Sequence, residues 1–83
     1  MQQTSLEAYR SVSGGLNSRQ AVVIRIFSSC REPLTNLEVA MILGWDINCV
    51  TPRVLELRGM RLLEEAGSKI QPSGREAIAW RRI

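Results

Sequence analysis

Histidine is absent from the sequence, which excludes imidazole general bases, Ser/His/Asp triads and zinc sites with histidine ligands. Cysteine is scarce: Cys30 and Cys49 are the only two, and their spacing is not that of a zinc-ligand pair or a redox motif. We therefore predict that the protein uses no metal ion and no cofactor. Both cysteines are expected to be reduced thiols, the usual state in the cytoplasm.

Patterns typical of enzymes and of membrane proteins are also missing. The chain has no P-loop and no Rossmann glycine motif, and the neighbouring Glu64 and Glu65 would face opposite sides of a strand instead of forming a carboxylate pair. The apolar run at residues 21–24 ends at Arg25, far short of the roughly 20 residues that span a bilayer. We expect neither an enzyme nor a membrane protein.

Lysine is nearly absent as well, because ten of the eleven basic residues are arginine and Lys69 is the one lysine. The eleven basic and eight acidic residues give a net charge of +3. This excess is only weak support for a polyanionic partner. The planar guanidinium groups of arginine nevertheless match phosphate oxygens and base edges well.

The residues that are present predict one small domain. The chain of 83 residues is 45% hydrophobic and 23% charged, which is typical of a globular protein too short to divide into two cores. We place this domain at residues 17–83, after an N-terminal extension at residues 1–16. In that extension Thr4 and Glu7 match a capping box, which predicts a short helix over about residues 5–12.

Three further helices are predicted from their ends. Asn17 can cap a helix whose third residue is Gln20, and Thr35 with Glu38 three positions later makes a second capping box. They predict helices over about residues 17–30 and 35–44, and Gly44 supplies a left-handed stop for the second. Because Pro52 is tolerated only near a helix start, the last helix is placed at about residues 47–60.

Near the end of the chain the spacing of apolar residues changes from that of a helix to that of a strand. From residue 76 onward apolar and polar side chains alternate, which is typical of a strand. We predict an antiparallel hairpin with strands at about residues 61–65 and 76–81, joined by a loop at 66–75. The fold class is therefore mainly α with a small β-hairpin. The residues expected to be mostly buried are Phe27, Leu43, Val54, Leu57 and Trp80.

The order of helices, turn and hairpin is that of a winged helix-turn-helix domain, and three residues have the spacing of its central motif. Ala40 is the small residue where two helices cross, Gly44 is the left-handed turn residue, and Val50 is the buried anchor of the second helix. The segments TSLEAYRSV, TNLEVAMILGW, VTPRVLELR and GREAIAWR resemble the small winged-helix proteins of bacterial phages and prophages. This resemblance implies a DNA-binding regulator of transcription in the cytoplasm of a bacterial host.

One position departs from the pattern of such domains. A glycine commonly precedes the pair of leucines that opens the hairpin, but here that position is Arg61 and the glycine is Gly59. A residue other than glycine costs on the order of 1 kcal/mol in the left-handed conformation. We therefore expect the last helix to end early, at Gly59.

If the resemblance extends to function, the helix at 47–60 enters the major groove and the loop at 66–75 contacts the backbone or the minor groove. Asn48 could hydrogen-bond to adenine, and it could equally be a helix cap. Arg53 could bind phosphate or form a surface ion pair. The full set of candidate DNA-binding residues is Thr35, Asn36, Asn48, Cys49, Thr51, Pro52, Arg53, Lys69 and Arg75.

A winged helix can instead recognise a protein. Leu37 and Met41 lie one turn apart, opposite the predicted core side of their helix, and Leu55 is expected to point outward beside Glu56. Exposed apolar side chains gathered in one patch indicate a partner or a dimer contact. The sequence therefore leaves three partners open: duplex DNA, a second copy of this chain, or another protein.

Overall fold

The computed structural model describes residues 15–83, and the helix predicted at residues 5–12 lies outside this part of the chain. Residues 15–83 form a small α+β domain of three helices and one three-stranded antiparallel sheet. Along the chain the elements are α1 (Ser18–Ser29), β1 (Leu34–Thr35), α2 (Asn36–Leu43), α3 (Ile47–Gly59), β2 (Leu63–Ile70) and β3 (Glu76–Arg82).

Asn17 caps α1 as predicted, and the capping box predicted for α2 is formed. Asn17 and Gln20 form a capping box as well. Asn17 Oδ1 accepts a hydrogen bond from the Gln20 backbone N–H over 2.8 Å, and Gln20 Oε1 accepts one from the Asn17 N–H over 3.0 Å. Thr35 and Glu38 make the same reciprocal pair at 3.2 and 2.9 Å. Because these bonds satisfy N–H groups that have no helical acceptor, α1 and α2 begin within one residue of the predicted positions.

The turn between α2 and α3 follows from Gly44 and Asp46. Gly44 adopts the left-handed conformation, with φ of 70°, as expected. Asp46 caps α3, since its Oδ1 accepts a hydrogen bond from the Asn48 N–H over 2.8 Å. The alternative in which Asn48 is the cap is therefore wrong. Pro52 is the sixth residue of α3 and lies beyond the first turn, so the Asn48 carbonyl lacks a helical donor.

The C-terminus of α3 lies where the sequence predicted it, but the turn after it has an unexpected backbone conformation. The helix ends at Gly59, as predicted, but Arg61 and not Gly59 adopts the left-handed conformation, with φ of 63°. The Leu62 N–H donates to the Leu57 carbonyl over 3.0 Å, which closes the helix end in the manner of a Schellman motif. The turn that leads into β2 therefore contains a residue other than glycine in a glycine conformation.

The sheet has one strand more than the sequence predicted. β1 pairs antiparallel with β3, with Leu34 opposite Trp80 and Thr35 opposite Ala79, so the strand order is β1-β3-β2. The sequence placed Thr35 at a helix cap and among the candidate DNA contacts, but not in a strand. A strand of two residues has no period to detect, and its extended backbone is also what an N-cap residue requires.

β2 is longer than predicted, and the prediction of a ten-residue loop at residues 66–75 was wrong. The strand continues to Ile70 through an irregular register between Glu65 and Ser68, where Gly67 has φ of 96°. A bulge at a glycine bends a strand without ending it. The residues Ala66, Gly67 and Ser68 are typical of a turn, which is why the sequence predicted a loop there. The β2–β3 hairpin turn covers only residues 71–75.

The core lies where the three helices pack against the sheet. Phe27, Val54, Leu57 and Trp80 are buried, which confirms four of the five predicted core residues. Leu43 is only half-buried, because it is the last residue of α2, beside the exposed turn. The other buried apolar residues are Val23, Ile24, Leu34, Val39, Ala40, Val50, Leu63 and Ala79.

Candidate nucleic-acid interface

The outward side of α3 is uncharged. Val50, Val54 and Leu57 hold the opposite side in the core, which turns Asn48 and Pro52 to solvent at the start of the helix. Leu55 is 55% exposed one turn further on. The Asn48 side chain makes no hydrogen bond within residues 15–83, so its amide is available to a ligand.

Arg53 lies beside this surface and is held by a carboxylate. Its Nε donates to Glu56 Oε1 over 2.9 Å, and its Nη2 donates to Glu56 Oε2 over 3.0 Å. Gln20 in α1 adds a hydrogen bond from Nε2 to Glu56 Oε1 over 2.7 Å. Glu56 therefore faces α1, and the expectation that it points outward beside Leu55 was wrong.

The pKa of Glu56 reflects this arrangement. The hydrogen bonds from Arg53, and then that from Gln20, lower the pKa of the Glu56 carboxyl below its ordinary value. At neutral pH the pair of Arg53 and Glu56 is thus a cation next to an anion. The Arg53 side chain remains 20% exposed, with its charge largely compensated.

Lys69 is also paired with a carboxylate. It lies in β2 instead of the predicted loop, and its Nζ is 3.1 Å from Oε1 and 3.4 Å from Oε2 of Glu38 at the start of α2. The pKa of the Glu38 carboxyl is lowered, first by the hydrogen bond from the Thr35 backbone N–H and further by Lys69, while partial burial opposes the shift. Glu38 therefore both caps α2 and neutralises Lys69.

Arg75 is the one candidate cation that stays uncompensated within residues 15–83. It is exposed in the hairpin turn and forms no ion pair with a residue in this range. Its backbone carbonyl accepts a hydrogen bond from the Gln71 N–H over 2.8 Å, which closes the turn. The guanidinium group thus projects from an ordered hairpin tip.

Four other candidates, namely Thr35, Asn36, Thr51 and Cys49, lie between elements. Thr35 is only 2% exposed and its hydroxyl caps α2, so the side chain is not on the surface. Asn36 donates from Nδ2 to Thr51 Oγ1 over 3.4 Å, which links the start of α2 to α3. Cys49 is a half-buried free thiol in a shallow pocket beside Arg19 and Trp45.

An apolar groove borders the outward side of α3. We name it the α3–hairpin groove, and its lining residues are Asn36, Leu37, Ile47, Leu55, Gln71, Ala77, Ile78 and Trp80. Leu37 and Leu55, both candidate protein contacts, are in this groove. Met41 is 70% exposed but is not among the lining residues, so the three candidates do not form one patch.

Sequence reasoning missed the carboxylates that pair with the candidate cations. The spacing of Arg53 and Glu56, three residues apart in a helix, could have revealed their pair. Nothing in the sequence indicates that Lys69 meets Glu38, because the two are 31 residues apart and are brought together by the sheet. The apolar groove was missed for the same reason.

Comparisons with known proteins add no relative. No protein-family model matches this chain, and neither a curated protein nor a solved structure matches it. Among the described residues, no group of three or more Cys, Asp or Glu side chains could hold a metal ion. No helix between residues 15 and 83 is long and apolar enough to cross a membrane.

Proposed function

We propose that this protein is a winged helix-turn-helix protein that binds duplex DNA, with α3 in the major groove and the β2–β3 hairpin as the wing. In this proposal it is a phage-type regulator of transcription that acts in the cytoplasm of a bacterial host. The supporting features are the order of elements, the geometry of the α2–α3 unit and the side chains on the outward side of α3.

The observation that supports the proposal most is the α2–turn–α3 unit. Ala40 is buried where the two helices pack together, Gly44 makes the left-handed turn, and Val50 is fully buried as the anchor of α3. This is the arrangement that holds a second helix with its first turns exposed to a groove. Here those first turns present Asn48 and Pro52.

Asn48 is the best candidate for base recognition. The side-chain amide has a donor and an acceptor, which matches N7 and N6 of adenine in the major groove. Asp46 already caps the helix, so this amide is not needed to start α3. Arg75 at the hairpin tip would contact the phosphate backbone, where a free guanidinium is worth most.

Fluorescence anisotropy with a labelled duplex tests the proposal. We expect weak, salt-sensitive binding to random duplexes, and tighter binding to a site selected from a random pool. Asn48→Ala should cost about 1–3 kcal/mol on the selected site only, whereas Arg75→Ala should weaken binding to all duplexes alike. Arg25→Ala, which removes the same charge from the exposed side of α1, is the matched control. Absence of duplex binding by the unmodified protein at low ionic strength would refute the proposal.

A second candidate function is protein recognition through the α3–hairpin groove, with a second copy of this chain as the partner to test first. The observation that favours it is the clustering of Leu55, Ile47 and Ile78 in one groove, all three of them exposed. Light scattering over a range of concentrations would detect self-association. Leu55→Asp should abolish it, while Met41→Asp, outside the groove, should not.

A further inference from the structure

We propose that Glu38 and Glu56 limit the sequence-independent part of DNA binding, because each neutralises a cation that would otherwise contact phosphate. This inference rests on the proposed function. It concerns two carboxylates that sequence analysis treated as a helix cap and as part of an exposed helix side.

The geometry of the pairs is the first argument. Glu56 engages two nitrogens of Arg53 at once, and Gln20, itself buried, holds the carboxylate from the neighbouring helix. Glu38 is held equally firmly, since it accepts the Thr35 N–H while it faces Lys69. Both carboxylates are partly exposed, at 39% for Glu56 and 40% for Glu38, but each accepts a hydrogen bond from a second group besides its cation.

The location of the pairs is the second argument. Arg53 flanks the outward side of α3, and Lys69 lies in the hairpin that would be the wing. Of the three candidate cations at this interface, only Arg75 has no ion-pair partner within residues 15–83. Non-specific affinity comes almost entirely from cations that neutralise phosphates, and it scales with their number.

As a consequence, this surface attracts the phosphates of DNA only weakly. Each neutralised cation removes about one phosphate contact, and with it a slope of about 0.9 in the logarithmic dependence of affinity on salt. The share of the affinity that comes from base contacts, such as those of Asn48, increases accordingly. Such a protein would not be retained on DNA that lacks its site.

The test compares three variants that each remove one negative charge. Glu38→Gln and Glu56→Gln remove the negative charges that compensate Lys69 and Arg53. The single amide oxygen can still accept the bond from the Thr35 N–H in Glu38→Gln or from Gln20 Nε2 in Glu56→Gln, while the NH2 group that replaces the second oxygen accepts nothing from the cation. Glu64→Gln is the control, since Glu64 pairs with Arg81 over 2.7 Å at the end of the hairpin away from its turn. The affinity of each variant for a random duplex is measured as a function of salt concentration.

We expect Glu38→Gln and Glu56→Gln each to steepen the salt slope by about 0.9 and to tighten binding about tenfold at about 50 mM salt, on all duplexes alike. Glu64→Gln should match the unmodified protein. Equal slopes for all four proteins, with duplex binding intact, would overturn this inference and leave the proposed function standing. If neither the unmodified protein nor the variants bind duplex DNA, the proposed function fails first and this inference fails with it.

Discussion

Gln20 in α1 donates a hydrogen bond from its Nε2 to Oε1 of Glu56 in α3, over 2.7 Å. The same side chain accepts the Asn17 N–H through its Oε1, so one amide both caps α1 and joins it to α3. Gln20 is buried, and its two bonds use the donor and the acceptor of the amide in different directions. This residue therefore joins α1 by a hydrogen bond to the helix that we propose to bind DNA.

Replacing Gln20 separates its two roles. Gln20→Ala removes both bonds and should lower the free energy of unfolding by about 1–2 kcal/mol. Gln20→Glu keeps the capping acceptor but places a second carboxylate against Glu56, so it should destabilise the protein at neutral pH and recover stability in acid. Urea unfolding at both pH values would measure this. A pH-independent effect of Gln20→Glu would contradict the contact.

Two alanine substitutions, one in the hydrophobic core and one in the α3–hairpin groove, should differ in how much stability they cost. Phe27→Ala should cost about 3–5 kcal/mol, because the side chain is almost completely buried among the helices. Leu37→Ala should cost much less, since Leu37 is only half-buried at the edge of the α3–hairpin groove. Thermal unfolding of both variants would test this. Equal losses would place Leu37 in the core.

The conformation of Arg61 predicts a stabilising substitution. Arg61→Gly should raise the free energy of unfolding by about 1 kcal/mol, because glycine adopts a φ of 63° without the strain that a Cβ atom causes. Arg61→Ala removes the same charge and keeps the strain, so it should change stability little. If the two substitutions have the same effect, the charge and not the backbone conformation determines it.

The lowered pKa of the Glu38 carboxyl should make the stability of the protein depend on pH. Its folded pKa is lowered, so its ionised form stabilises the folded protein above the unfolded pKa of about 4.3, and this stabilisation is lost as the pH falls through the folded pKa. Glu38→Gln should therefore be less stable than the unmodified protein at neutral pH, and the difference should shrink below about pH 4. Denaturant titrations between neutral and acid pH would show this. A difference that stays constant with pH would contradict it.

Local chemistry made part of this fold predictable. Asn17 with Gln20, Thr35 with Glu38, and Gly44 each determine a helix end through hydrogen bonds or backbone conformation within a few residues. The pairing of Leu34 with Trp80 depends on a contact 46 residues away along the chain, so no local pattern reveals it. For the same reason the candidate cations could be named, but the pairing of Lys69 with Glu38 could not be predicted.

In the proposed function, duplex DNA binds to the start of α3 and to the hairpin turn. An NMR titration of the ¹⁵N-labelled protein with a duplex at low ionic strength tests it most directly. We predict that the largest shifts of backbone amides occur in residues 47–51 and 71–75, with little change at Met41 and Ile42 on the exposed side of α2. Shifts largest at Met41 and Ile42, or no shifts at all, would contradict DNA binding by α3 and the hairpin turn.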